Sequence, residues 1–181
     1  MLDELKLITY GHPVLRKNAL PIKKFTPLIA DVASKMFEIM SSKKGLGLAA
    51  PQVGLPWQIF ILNINKPLVF INPVLSWDRN PRFRIDNEGC LSLPGIYLDI
   101  SRPHEVYVEA FDVDGKPFKA KYAGMHARCI QHEYDHLNGM LIIDRDVIKT
   151  APLVMQLPST HISEEDRELM QKWENHDVLG I

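Results

Sequence analysis

Two histidines and a glutamate in the segment IQHEYDHLNG, residues 130–139, have the spacing of a metal site. His132 and His136 are four residues apart, so on a helix both imidazoles lie on one face about one turn apart. Glu133 stands beside them, where a carboxylate can exchange a proton with a water molecule that the metal activates. The same pattern also fits two surface histidines on an ordinary helix. A hydrolytic metal site therefore requires a third protein ligand.

The third ligand could be a histidine, a glutamate or a cysteine. A histidine six residues after His136, as in metzincins, is excluded because residue 142 is isoleucine. A thiolate is offered by Cys90, whose segment NEGCLSLPG is predicted to be a loop by its glycines and proline, but a lone cysteine is more often a small buried apolar residue. A glutamate ligand, as in thermolysin, has four candidates, which lie in a charged segment that is better explained as surface: Glu164, Glu165, Glu168 and Glu174. The residues alone therefore leave the choice of third ligand open.

A third segment, GLGLAAPQ at residues 45–52, combines small residues with an amide. Two glycines and two alanines indicate a backbone that approaches another group closely, and Gln52 presents a hydrogen-bond donor beside it. A phosphate-binding loop is a poor reading, because the Gly-Lys-Ser/Thr ending and the following helix are both missing.

Taken together, the three segments resemble the signature motifs of peptide deformylases. GLGLAAPQ, EGCLS and QHEYDHLNG occur in this order and each is complete. Further similarity lies in GHPVLRKNA near the start, in INP at residues 71–73 and in IDR at residues 143–145. The resemblance covers about residues 7–146, and no feature after Asp146 matches.

The resemblance implies a role for each motif residue. It implies that a divalent metal is coordinated by Cys90, His132 and His136, with Fe²⁺ as the expected ion and Zn²⁺, Ni²⁺ or Co²⁺ able to occupy the same site. It assigns proton transfer to Glu133 as general base and acid. It also implies that Gln52 and the backbone N–H of Leu91 stabilise the oxyanion, while Gly47 approaches the bound substrate.

The residues around the motifs suggest a pocket and a support. By resemblance, the methionine pocket is assigned to Leu46, Met125 and Cys129; Cys129 lies three residues before His132, on the same helix face. Glu88 and Arg102 are the expected supporting ion pair, orienting the segment that carries Cys90. Arg128 is expected to point away from the site and to be exposed.

The implied reaction is hydrolysis of the N-formyl group from the initiator methionine of newly made polypeptides, which releases formate. Nascent formylmethionyl chains are then the partners, and docking on the ribosome is an open expectation. Two other functions fit the residues less fully. A peptidase with a His-Glu-x-x-His motif would take a downstream glutamate as ligand and would not need Cys90, whereas a zinc-stabilised module would bind metal without turnover.

Composition excludes several other classes of protein. The chain of 181 residues fits one domain, and its 21 basic and 22 acidic residues give no reason to expect a nucleic-acid or anionic-membrane surface. No apolar run approaches the roughly 20 residues of a membrane span, and the N-terminus lacks signal-peptide features. Two cysteines suit a reducing compartment. We therefore expect a cytoplasmic enzyme.

The elements that must position the motifs follow from periodicity. One amphipathic helix is predicted from Thr26 to near Gly45, and a second, carrying the two histidines, spans residues 122–137. Strands are predicted at residues 58–62, 68–71, 105–111 and 118–122. A further helix is predicted from Ser163, after a linker at residues 152–158. The fold class is α+β: antiparallel strands around a central metal-binding helix, with a C-terminal helix, in a single domain of residues 1–181 whose segment 146–181 is peripheral.

Overall fold

The computed structural model describes residues 2–145. Its order is one helix, three strands, a two-stranded hairpin, two more strands and a second helix. The linker predicted at residues 152–158 and the helix predicted from Ser163 lie outside the described residues, so the single-domain assignment stays a prediction. Within residues 2–145, no helix is both long and apolar enough to cross a membrane.

Five of the strands form one antiparallel sheet in the order β1-β2-β3-β6-β7. β6 shows why these residues form strands, since Val106, Val108 and Ala110 are buried and alternate with more exposed residues. The five strands are β1 (Gly47–Ala49), β2 (Ile59–Asn63), β3 (Pro67–Ser76), β6 (Glu105–Phe111) and β7 (Pro117–Ala123).

The remaining two strands, β4 (Phe83–Cys90) and β5 (Leu93–Pro103), pair only with each other among the described residues. This hairpin was not predicted from the sequence, and neither was the short strand β1. Cys90 is the last residue of β4 and sits at a register shift next to Gly89. The expectation of a loop around Cys90 was therefore wrong: Gly89, Pro94 and Gly95 lie within the two strands at the register shift, and the tight turn consists of Leu91 and Ser92.

The first helix, α1 (Pro27–Ser42), agrees with the predicted amphipathic helix. Thr26 is its N-cap residue and Pro27 begins it, which suits the fixed φ of proline at a first helical position. Its buried face packs on β1 and β2 and consists of Ile29, Val32, Ala33, Met36 and Met40, spaced as one stripe of a helix.

The second helix, α2 (Gly124–Leu137), lies between the large sheet and the hairpin and contacts β1, β2, β5, β6 and β7. It begins two residues later than predicted, because residues 122 and 123 still belong to β7 and Gly124 takes a positive φ at the corner. Ala127, Ile130 and Leu137 belong to an apolar cluster with residues of the sheet. The rest of the helix buries polar side chains, as expected of a central helix that carries a site.

Candidate active site

Three metal-ligating side chains converge where the hairpin meets α2. Cys90 comes from the end of β4, while His132 and His136 come from consecutive turns of α2. One ligand atom from each lies within 4.8 Å of the others, and Cys90 Sγ is 3.3 Å from His136 Nε2. A thiolate and an imidazole on one tetrahedral metal are about 3.6 Å apart. The cluster therefore has the dimensions of a mononuclear site.

The hydrogen bonds of the cluster agree with a metal in this position. His132 Nδ1 lies 3.0 Å from Glu88 Oε2, so the ring donates that N–H and leaves Nε2 as a free ligand atom. Glu133 Oε2 is buried and has no hydrogen-bond partner among the described residues. One thiolate and two imidazoles suit zinc, iron, nickel or cobalt, and three ligands leave a fourth position open. These residues fit a catalytic divalent metal.

Glu133 is buried beside the two histidines and is held close to β1. Burial raises the pKa of its carboxyl to about 7, near the pH at which a group both accepts and returns a proton well. Gly47 of β1 lies so close that a Cβ atom there would be 2.4 Å from Glu133 Oε1. A glycine is therefore required at residue 47 because the carboxylate fills the space of a side chain.

The amide of Gln52 is fixed in one orientation. Its Oε1 accepts a 2.8 Å hydrogen bond from the backbone N–H of Ala49, which leaves Nε2 as the outward donor. Nε2 lies 3.7 Å from Cys90 Sγ and 3.3 Å from Ser92 Oγ. Ser92 is itself held by a 2.8 Å hydrogen bond to the carbonyl of Ile8. The site thus presents an immobilised N–H donor next to the metal ligands.

A buried network of charges surrounds Glu88. Arg102 donates to both its oxygens, at 2.7 and 2.9 Å, and Arg128 donates to Oε1 at 2.6 Å. Burial alone would raise the pKa of Glu88, but hydrogen bonds from His132 and Arg102 outweigh it and lower the pKa to about 2. Glu88 is therefore ionised at neutral pH. Arg102 also reaches Asp135 of α2 at 2.8 Å.

A pocket of about 720 Å³ opens onto the cluster. Its walls come from β1, from the hairpin and from the first turns of α2. Leu46 and Met125 line it and are about half exposed, and Cys129 lines it nearer the histidines. Burial raises the pKa of the Cys129 thiol to about 12, so this residue is a neutral, weakly polar part of the wall.

Comparison with known proteins assigns the chain to a family. The sequence profile described as Polypeptide deformylase matches residues 4–151. The chain belongs to this family. A peptide deformylase from Prochlorococcus marinus subsp. pastoris is 42% identical over 147 residues, which cover 78% of this chain and 73% of that protein.

Solved peptide deformylases share the fold of the chain. The enzyme from Synechococcus elongatus, crystallised in complex with actinonin, has a TM-score of 0.78 and 38% identity and covers 84% of this chain and 85% of its own. The enzyme from Thermotoga maritima has a TM-score of 0.76 and 39% identity and covers 78% of this chain and 97% of its own. These likenesses confirm the α+β fold class.

The structure brings most of the predicted deformylase site together. Cys90 joins the two histidines, and the expected ion pair of Glu88 and Arg102 is present and buried. Gln52, Gly47, Leu91, Leu46, Met125 and Cys129 all line the same pocket as Glu133. Leu91 lies in the turn between β4 and β5, directly after Cys90. The roles of these residues stay predictions.

The expectation for Arg128 was wrong. The residue is 7% exposed, lines the pocket and donates to Glu88, although it was predicted to point away. Residue 128 is four positions before His132, and that spacing should have placed both on one helix face. Ser92 and Asp135 were also missed. The sequence does indicate a role for Asp135, because an acidic residue inside the histidine motif, on a helix that must be buried, needs a partner of opposite charge.

Proposed function

We propose that this chain is a metal-dependent hydrolase that removes the N-formyl group from the initiator methionine of newly synthesised polypeptides and releases formate. The observation that carries the proposal is the cluster of Cys90, His132 and His136 in a member of the deformylase family, with an oxygen of Glu133 beside it that has no hydrogen-bond partner within residues 2–145. The alternative of a downstream glutamate ligand loses its support, because Cys90 already completes a set of three.

The residues of the chain divide the chemistry among them. When bound, the metal would supply a Lewis acid that polarises the formyl carbonyl and makes a water molecule acidic. Glu133 takes a proton from the attacking water and returns it to the leaving amine, as its pKa of about 7 favours. Gln52 Nε2 and the N–H of Leu91 donate to the developing oxyanion. Loss of one such donor costs on the order of 3 kcal/mol in other hydrolases.

We expect the peptide part of the substrate to bind along two strand edges that border the pocket. β1 is the terminal strand of the large sheet, β4 pairs only with β5 in the described part of the chain, and both border the pocket. An extended peptide can form backbone hydrogen bonds with such edges without regard to its side chains. We expect the substrate backbone to run along these edges next to Gly47, as the family resemblance implies.

Selection of the first residue is assigned to three side chains of the pocket wall. Leu46, Met125 and Cys129 supply aliphatic carbon and sulfur to a cavity that leads to the cluster. A long unbranched thioether fits such a cavity, because methionine adapts to irregular apolar walls. We therefore expect methionine to be favoured over smaller first residues.

The metal and the setting are also part of the proposal. We propose Fe²⁺ as the physiological ion, by family resemblance, with Zn²⁺, Ni²⁺ and Co²⁺ as ions that the same ligands can bind. The proposed partners are formylmethionyl nascent chains in the cytoplasm, with the ribosome as the place where the enzyme meets them.

One assay tests this function against its alternatives. Formate release from a formylmethionyl peptide and bound metal are measured together in the wild type and in Cys90→Ala. The proposal expects the variant to lose both metal and formate release. Retained metal and full formate release in Cys90→Ala would show that another residue is the third ligand, and metal binding without any formate release in the wild type would favour a structural zinc module.

A further inference from the structure

Arg128 is a buried cation of α2 that the proposed chemistry does not use. Its Nη1 donates to Glu88 Oε1 at 2.6 Å and to the carbonyl of Ile100 at 3.0 Å. Its Nη2 donates to the carbonyl of Arg84 at 2.8 Å, and Nε lies 3.7 Å from Asp86 Oδ2. Every side-chain nitrogen of Arg128 therefore faces the hairpin.

These contacts connect the two parts of the fold that share the metal ligands. Glu88 and the carbonyl of Arg84 belong to β4, which ends at Cys90, and Ile100 belongs to β5. Arg128 lies one helical turn before His132 on α2. A single planar guanidinium therefore fixes α2 against both strands of the hairpin, with a geometry that a point charge cannot reproduce.

Arg102 does not make this connection redundant. It also binds Glu88, but it starts from β5 and reaches α2 through Asp135, near the C-terminal end of the helix. Arg128 fixes the N-terminal side of the same helix. Loss of Arg128 would leave Glu88 charged and held by Arg102, while the carbonyls of residues 84 and 100 would lose a donor.

We propose that Arg128 is a positioning residue that sets the separation between Cys90 on the hairpin and His132 and His136 on α2, and thereby the affinity of the site for its metal. The inference rests on the proposed metal centre and not on the identity of the substrate. Partners outside the ligand set commonly change metal affinity 10- to 100-fold when they are removed. We expect an effect of this size.

The test measures metal affinity directly. Arg128→Met keeps the aliphatic stem and removes all donors, whereas Arg128→Lys keeps the charge but offers its three donors from one nitrogen in place of the planar fork of the guanidinium. The matched control is Arg82→Met, the same substitution at an exposed residue next to β4. Each protein is loaded with Co²⁺ and titrated with a competing chelator, which gives its affinity for the metal. The absorption spectrum of each loaded protein is recorded to follow the cobalt d–d and thiolate charge-transfer bands.

The expected result is a ranking of the proteins by their affinity for Co²⁺. Arg128→Met should bind Co²⁺ about 10- to 100-fold more weakly with shifted bands, Arg128→Lys should fall between it and the wild type, and Arg82→Met should match the wild type. Folding of each protein is checked by far-UV circular dichroism. If Arg128→Met does not fold, the comparison of Arg128→Lys with the wild type tests the proposal.

Three outcomes would overturn the inference. Wild-type affinity and spectrum in Arg128→Met, or in Arg128→Lys when only that variant folds, would show that the guanidinium does not position the ligands. A raised KM for the formylmethionyl peptide with unchanged metal affinity would make Arg128 a pocket-wall residue only. An equal loss of Co²⁺ affinity in Arg82→Met would show that the effect comes from removal of any positive charge and not from the contacts of Arg128. Failure of the wild type itself to bind Co²⁺ would count against the proposed function instead.

Discussion

Substitution of Gly47 by alanine should displace the proposed general base without touching a metal ligand. The added Cβ would lie 2.4 Å from Glu133 Oε1 and 2.9 Å from its Cδ, whereas ordinary contacts of this kind begin near 3.4 Å. The third close atom, Leu62 Cδ2 at 2.7 Å, is part of a fully buried side chain and gives little room on that side. The carboxylate must therefore move by about 1 Å.

The size of the effect follows from that displacement. A 1 Å error in the position of a catalytic group can cost roughly 100-fold in rate, which corresponds to about 2.7 kcal/mol in the activation free energy. Because Glu133 acts on the bound substrate, we expect the loss in kcat more than in KM. The metal content should stay at the wild-type level, since the three ligand atoms do not contact the new methyl group.

Gly45→Ala is the matched control for this prediction. Gly45 lies two residues earlier in the same segment, and a Cβ there would meet Cδ1 of Leu91 at 2.8 Å and Cγ of Met40 at 3.1 Å but not the carboxylate of Glu133. We expect a smaller loss in this variant. Formate release is measured across substrate concentrations, with metal analysis of the same samples. If Gly47→Ala kept more than a third of the wild-type kcat with full metal, the carboxylate would not be confined as described.

Three other predictions test the base, the pocket and the metal. Glu133→Gln should keep the fold and the metal and lose most turnover, because a nearly isosteric amide cannot accept a proton; a tenth of wild-type formate release would show that another group is the base. A formylmethionyl peptide should exceed a formylalanyl peptide in kcat/KM by roughly 50-fold, since about three buried groups at ~0.8 kcal/mol each are missing; equal values would remove the pocket. The iron form should lose activity in air while the nickel form keeps it. The mass of the peptide that contains Cys90 reports the oxidation of this residue. Equal survival of both forms would contradict the expected functional consequence of iron, which is oxygen sensitivity.

Sequence motifs predicted which residues meet at the site better than the architecture around it. The spacing of His132 and His136 is local information, whereas Cys90 was joined to them only by the resemblance of three short segments to peptide deformylase motifs. The first helix and β6 were also predicted, because their buried residues recur with a clear period.

The hairpin of β4 and β5 could not be predicted in the same way. Residues 83–87 of β4 are all exposed, so the strand has no alternation of buried and exposed positions over most of its length. It is a strand because β5 supplies a continuous hydrogen-bonded partner, which is a tertiary property. Arg128 was missed as a partner of Glu88 for a related reason, since it reaches β4 from a separate element, α2.

The strand edges of β1 and β4 beside the pocket, which no other strand of residues 2–145 covers, have a consequence for when the enzyme can act. A polypeptide can add to β1 and β4 only while its first residues are extended and their N–H and C=O groups are unpaired. Once these residues enter a helix or a sheet of their own protein, those groups are no longer available. Deformylation therefore competes in time with folding of the substrate, and chains with rapidly folding N-terminal segments have the shortest period in which they can be processed.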